Sequence, residues 1–65
     1  MNGTENSTAI NWTETADGGW EAMIKGVTYL IERHGSMYYL YRGVEREQID
    51  AHLSLYVLKG LAQYF

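Results

Sequence analysis

Residues 20–43, WEAMIKGVTYLIERHGSMYYLYRG, alternate apolar and polar side chains and break the alternation only at Gly26 and Gly35. A period of two is the mark of a strand with one buried face. Residues 20–25 place Trp20, Ala22 and Ile24 on one side and Glu21, Met23 and Lys25 on the other. Residues 27–33 repeat the scheme, with Val27, Tyr29 and Ile31 opposite Thr28, Leu30 and Glu32. Residues 37–42 hold Tyr38, Tyr39, Leu40 and Tyr41 and are apolar on both sides, so their inward face stays undecided. Upstream, residues 10–13 form a weak strand candidate, because Ile, Trp and Thr suit a pleated surface. Asp17, Gly18 and Gly19 then signal a turn, as His34 and Gly35 do further on. Connections this short force antiparallel neighbours, since a parallel pair needs a crossover of about a dozen residues or more.

From Val44 the period changes. Ile49, Leu53, Tyr56 or Val57, Gly60 or Leu61, and Tyr64 recur at three- and four-residue steps, which predicts a helix over 44–65. Gly43 is a weak cap, Glu45 and Glu47 would sit in the first turn, where the helix dipole favours negative charge, and Lys59 lies near the other end. Gly60 inside that helix costs about 0.5–1 kcal/mol relative to alanine, and the expected compensation is close approach of helix to sheet. The predicted fold class is therefore α+β: a three- or four-stranded antiparallel meander with one C-terminal helix packed on one face. Its expected core is Trp20, Ala22, Ile24, Tyr29, Ile31, Leu53, Val57 and Leu61.

A chain of 65 residues is one small domain, 1–65, with residues 1–8 polar enough to be read as a flexible tail. There is no cysteine, so neither a disulfide nor a thiolate metal site adds stability, and a single core this small supplies roughly 3–5 kcal/mol. A 46% apolar content with nine aromatic residues (two Trp, six Tyr, one Phe) still excludes wholesale disorder. No apolar run is long enough to span a membrane, and the polar start lacks a secretory pattern, so a cytoplasmic protein is expected. In that setting the three sequons at Asn2, Asn6 and Asn11 read as an Asn/Thr-rich tail rather than glycosylation sites.

Catalytic chemistry finds little to stand on. His34 and His52 are the only histidines, with Ser36 and Ser54 two residues after them, a spacing that permits contact in an extended strand and on a helix points to different faces. Glu45, Glu47 and Asp50 cluster near the expected helix start without separated environments that would make an acid and a base. A domain of this size rarely forms a ligand pocket of several hundred cubic ångströms. The expectation is no enzyme activity, no cofactor, no metal and no small-molecule substrate.

The tyrosines and acids say more. Tyr38 and Tyr39 must point to opposite faces, Tyr41 joins Tyr39, and one helix covers only one face, so aromatic groups are left for water or a partner. Residues 1–24 carry Glu5, Glu14, Asp17 and Glu21 with no Lys or Arg, whereas residues 25–65 carry five bases against Glu32, Glu45, Glu47 and Asp50, for a net charge of −3. An exposed aromatic sheet can stack bases, with Lys25, Arg33, Arg42 and Arg46 as local cations. The acidic balance makes direct nucleic-acid binding the alternative rather than the leading reading.

In short length, acidity and lack of cofactor motifs, the chain resembles the anti-CRISPR proteins of phages and mobile elements. That group shares no sequence motif, and the resemblance is one of format over the whole chain. It implies a protein partner, a bacterial CRISPR effector complex, blocked at its DNA-reading surface by carboxylates that mimic phosphates or by steric occlusion. The expected partner-binding residues are Glu14, Asp17, Glu21, Glu32, Glu45, Glu47 and Asp50 with Tyr38, Tyr39 and Tyr41. Besides the aromatic nucleic-acid module, a homo-oligomerising structural protein remains a reading, so monomer and homodimer both stay open.

Overall fold

The structure is a computed structural model that describes residues 10–65. The expected tail over residues 1–8 lies outside the described residues. Five strands run in chain order through one antiparallel sheet: β1 (Thr13–Glu14), β2 (Trp20–Ile24), β3 (Val27–His34), β4 (Met37–Arg42) and β5 (Glu47–His52). One helix, α1 (Leu55–Ala62), follows. The α+β meander with a single C-terminal helix is as the alternation requires; the strand count is five rather than three or four.

The β2–β3 connection is a two-residue hairpin in which Lys25 (φ 54°) and Gly26 (φ 82°) both take left-handed backbone, the combination whose twist matches the flanking strands. At β1–β2, the Thr15 Oγ1 accepts from the Gly19 N–H at 2.8 Å and donates to the Asp17 carboxylate at 2.6 Å. Gly19 is buried there, and a Cβ on it would lie 2.6 Å from the Ile31 carbonyl oxygen. Strand β1 is shorter than the 10–13 segment expected: Ile10, Asn11 and Trp12 lie outside the ladder, although Trp12 packs against the core.

The largest correction concerns residues 44–54. They form a turn and β5, not the first half of a helix. The Arg46 N–H donates to the Gly43 carbonyl at 3.1 Å, and β5 then pairs with β4. Glu45 therefore sits in a turn, and Glu47, Asp50 and His52 on a strand. The register shifts between Leu40 and Tyr41, a bulge that leaves Ile49 unpaired. Within β5 the Asp50 Oδ1 accepts the Ala51 N–H at 2.8 Å, which leaves one donor fewer on this edge of the sheet. After it the His52 Nδ1 accepts the Ser54 N–H at 3.0 Å. Ser54, in extended conformation, is the true N-cap; its hydroxyl accepts from the Val57 N–H at 3.3 Å.

Helix α1 lies on the face that carries Tyr29, Ile31 and Leu40, and buries Leu58 and Ala62 against them. Ala22, Tyr29 and Ile31 are buried as expected, with Trp20 and Ile24 packed at the margin. Leu53 (66% exposed) and Val57 (42%) are not core residues. The expected stripe is one helical face out of register, because the helix begins at Leu55 and turns Leu55, Leu58 and Ala62 inward. Gly60 also departs from expectation: a Cβ there meets nothing within 4 Å, so the sheet does not explain its lack of a side chain.

Candidate binding face

The register settles which tyrosines share a face. Tyr38 lies opposite Arg33 and His52 on the helix side, where its ring packs 5.8 Å from that of Trp20. The Lys59 ammonium closes the same corner from α1, 5.7 Å from the Trp20 ring centre. Tyr39 and Tyr41 point the other way. On that face Tyr39 sits opposite Glu32 and Ala51, and Tyr41 opposite Leu30 and Gln48. Glu21 continues the second row, since it pairs with Leu30 and with Thr13. Among the described residues no further element is laid over this face.

Its centre is a small network. The Glu32 carboxylate lies 3.3 Å from the His34 Nε2 and 3.8 Å from the Arg46 guanidinium, which comes from the β4–β5 turn. The His34 and Tyr39 rings are 5.6 Å apart. Burial, reinforced by the negative charge of Glu32 and the neighbouring Tyr39, raises the Tyr41 hydroxyl above the ordinary tyrosine pKa. Leu30 is nearly buried among these groups, while Tyr39 and Tyr41 keep part of their surface in water. The result is a half-wet aromatic platform with a polar fringe, the composition that suits a protein interface.

Of the expected binding residues, Glu21, Glu32, Tyr39 and Tyr41 come together on this face. The others disperse. Glu14 lies opposite Trp20 on the helix side and is exposed. Asp17 is in the β1–β2 turn, where the hydrogen bond from Thr15 and its own backbone N–H hold its carboxyl below the usual aspartate value. Glu45 is exposed in the β4–β5 turn, and Glu47 lies 3.6 Å from Arg42. Asp50 faces the helix side opposite Leu40, and Tyr38 packs there too. His34 and Arg46 were not among the expected site residues; the i, i+2 spacing of Glu32 and His34 on one strand was the available signal for the first.

A cleft of about 410 Å³ does open on the helix side, between Val27, Tyr29, Arg42 and Phe65, larger than a domain of this size was expected to form. Neither a histidine nor a serine lines it; its polar lining is Tyr29, Arg42, Glu45 and Glu47. Among the described residues no three His, Asp or Glu side chains converge on a metal-sized site, and no helix is long and apolar enough to cross a membrane. No family model matches the chain, and no curated protein or solved structure proves similar to it.

Proposed function

We propose that this protein is a non-enzymatic inhibitor that works by binding another protein through the sheet face opposite α1, and that its target is a CRISPR effector complex in the bacterial cytoplasm. The observation that carries the docking surface is the pairing of Tyr39 and Tyr41 around Leu30 on the face the helix leaves open. The choice of target rests on the resemblance in size and acidity to anti-CRISPR proteins. Steric occlusion is favoured over phosphate mimicry. The carboxylates of Glu14, Asp17, Glu45, Glu47 and Asp50 are divided between turns and the helix side, and Glu47 and Glu32 each have an arginine within 4 Å. A phosphate mimic needs a row of unpaired acids to be steered into a basic channel.

The direct test is capture of purified effector complexes on the immobilised protein, with and without target DNA. Retention of an effector that has no DNA bound, and loss of that retention once DNA occupies it, is the expected result. Failure to retain any effector rejects the target. Tight binding to single-stranded oligonucleotides at low salt would instead favour base stacking on the tyrosines, a reading disfavoured by Glu21 and Glu32 on the same face.

A further inference from the structure

We propose that two copies of this protein associate back to back through the outer face of α1, with their helices antiparallel and crossing at Gly60. The helix has two apolar faces, and the described residues cover only one of them. Leu58 and Ala62 are fully buried, but Tyr56 is 84% exposed, Val57 42% and Tyr64 78%, and Leu53 just ahead of the helix is 66% exposed. A surface helix ordinarily presents charged side chains to water. From Leu53 to Phe65 the one charged side chain is Lys59, and it is turned onto Trp20. The outer stripe is thus neutral on a protein that is otherwise acidic, so two copies meet there without the like-charge repulsion that other surfaces would impose.

Gly60 lies in the middle of the stripe. Among the described residues nothing requires a glycine there: an added Cβ would meet no atom within 4 Å, although Gly60 shares a cleft with Ile10, Trp12 and Gln63, and the residue costs about 0.5–1 kcal/mol of helix stability. A second backbone passing close by gives that cost a reason. Tyr56, in the first turn of α1, and Tyr64, in the turn just past its end, stand four residues before and after Gly60. A two-fold axis through Gly60 therefore sets Tyr56 of each copy against Tyr64 of the other, the reciprocal contact that an isologous interface demands. A foreign partner has no need of that symmetry. Two tyrosines at roughly 150–250 Å² each, with Leu53 and Val57, bring the two patches together to roughly 1,000 Å², the lower limit for a specific interface. An interface at that limit is expected to be weak. It leaves Tyr39 and Tyr41 free on both copies, facing away from each other, and does not rest on the function proposed above.

Sedimentation of the purified chain from about 1 μM to about 1 mM tests it. The expected result is a reversible monomer–dimer equilibrium. Gly60→Leu should weaken it at least tenfold while far-UV circular dichroism and the melting temperature hold or improve. Tyr56→Lys, which adds a charge to the stripe without touching the glycine, should do the same if Gly60→Leu fails to fold. Tyr39→Ala with Tyr41→Ala should leave the dimer intact. A strict monomer over the whole range overturns the proposal. So does a dimer that survives Gly60→Leu and Tyr56→Lys, or one that the sheet-face substitutions abolish.

Discussion

Gly19 and Gly60 ask opposite things of a side chain. At Gly19 an alanine Cβ would press on the Ile31 backbone oxygen at 2.6 Å, and a backbone group in the middle of β3 has little freedom to retreat. Overpacking of that kind costs about 1–3 kcal/mol, a large part of what so small a core supplies. Gly60→Ala meets open space and removes the entropic cost of glycine, so it should stabilise the monomer by about 0.5–1 kcal/mol. Urea unfolding at low protein concentration reads both; a destabilised Gly60→Ala, or a neutral Gly19→Ala, would contradict the packing described. Tyr41 supplies a second prediction at this scale. Its folded-state pKa is raised, chiefly by burial, so the fold holds the proton more tightly than the unfolded chain does. The resulting stability is fully present below about pH 10, the unfolded value, and is lost as pH rises through the folded value. Melting temperatures between pH 9 and 11.5 should fall less steeply for Tyr41→Phe than for the parent chain. Equal slopes would mean that Tyr41 is not desolvated. Gly60 also shows where residue-level reasoning failed: its cost was legible in the sequence, but the partner surface assigned to it was the wrong one.

The boundary between β5 and α1 decides how the second half of the chain is understood. Ile49, Ala51, Leu53 and Leu55 alternate with a period of two, while Ile49, Leu53, Tyr56 and Gly60 satisfy a helical period over the same stretch. Periodicity alone does not separate the two when a strand runs directly into a helix. The bulge between Leu40 and Tyr41 blurs the strand pattern further, because it shifts the inward positions of β5 by one. The decisive local signal was Ser54, a good N-cap residue placed directly before the helix, against the weak Gly43. By contrast β2, β3 and β4 were legible almost residue by residue, since glycine-bearing turns bound them and their registers follow from two-residue hairpins. An isolated helix of eight residues is marginal in water, so α1 depends on its cap and on the sheet beneath it. Ser54→Ala should therefore destabilise the protein by about 1 kcal/mol, and Ser54→Asp should restore most of the loss. Far-UV circular dichroism with thermal melting checks this; if Ser54→Ala leaves the melting curve unchanged, the helix is held by packing alone.

At the scale of the molecule, the sheet has one side covered by α1 and one side that no further element among the described residues covers. The prediction that one helix leaves an aromatic face uncovered followed from counting tyrosines along β4, and it holds for Tyr39 and Tyr41 but not for Tyr38. The side of β4 that faces the helix was not legible beforehand, because both sides are apolar and only pairing with β3 places Leu40 beside Ile31. The acids illustrate a different limit. Four of the eight precede residue 24 with no Lys or Arg among them, yet the meander sends Glu14 to one face, Glu21 to the other and Asp17 to a turn. Charge in sequence is not charge on one surface, which favours the tyrosines over the carboxylates as the proposed binding groups. The measurement that tests this most directly compares two variants for affinity to a captured effector complex. One carries Tyr39→Ala and Tyr41→Ala; the other carries Glu14→Gln, Asp17→Asn and Glu45→Gln. The tyrosine variant should lose at least tenfold in affinity, with the parent's melting temperature largely retained, and the acid variant should change little. An acid variant that loses binding while the tyrosine variant keeps it would overturn the assignment to Tyr39 and Tyr41.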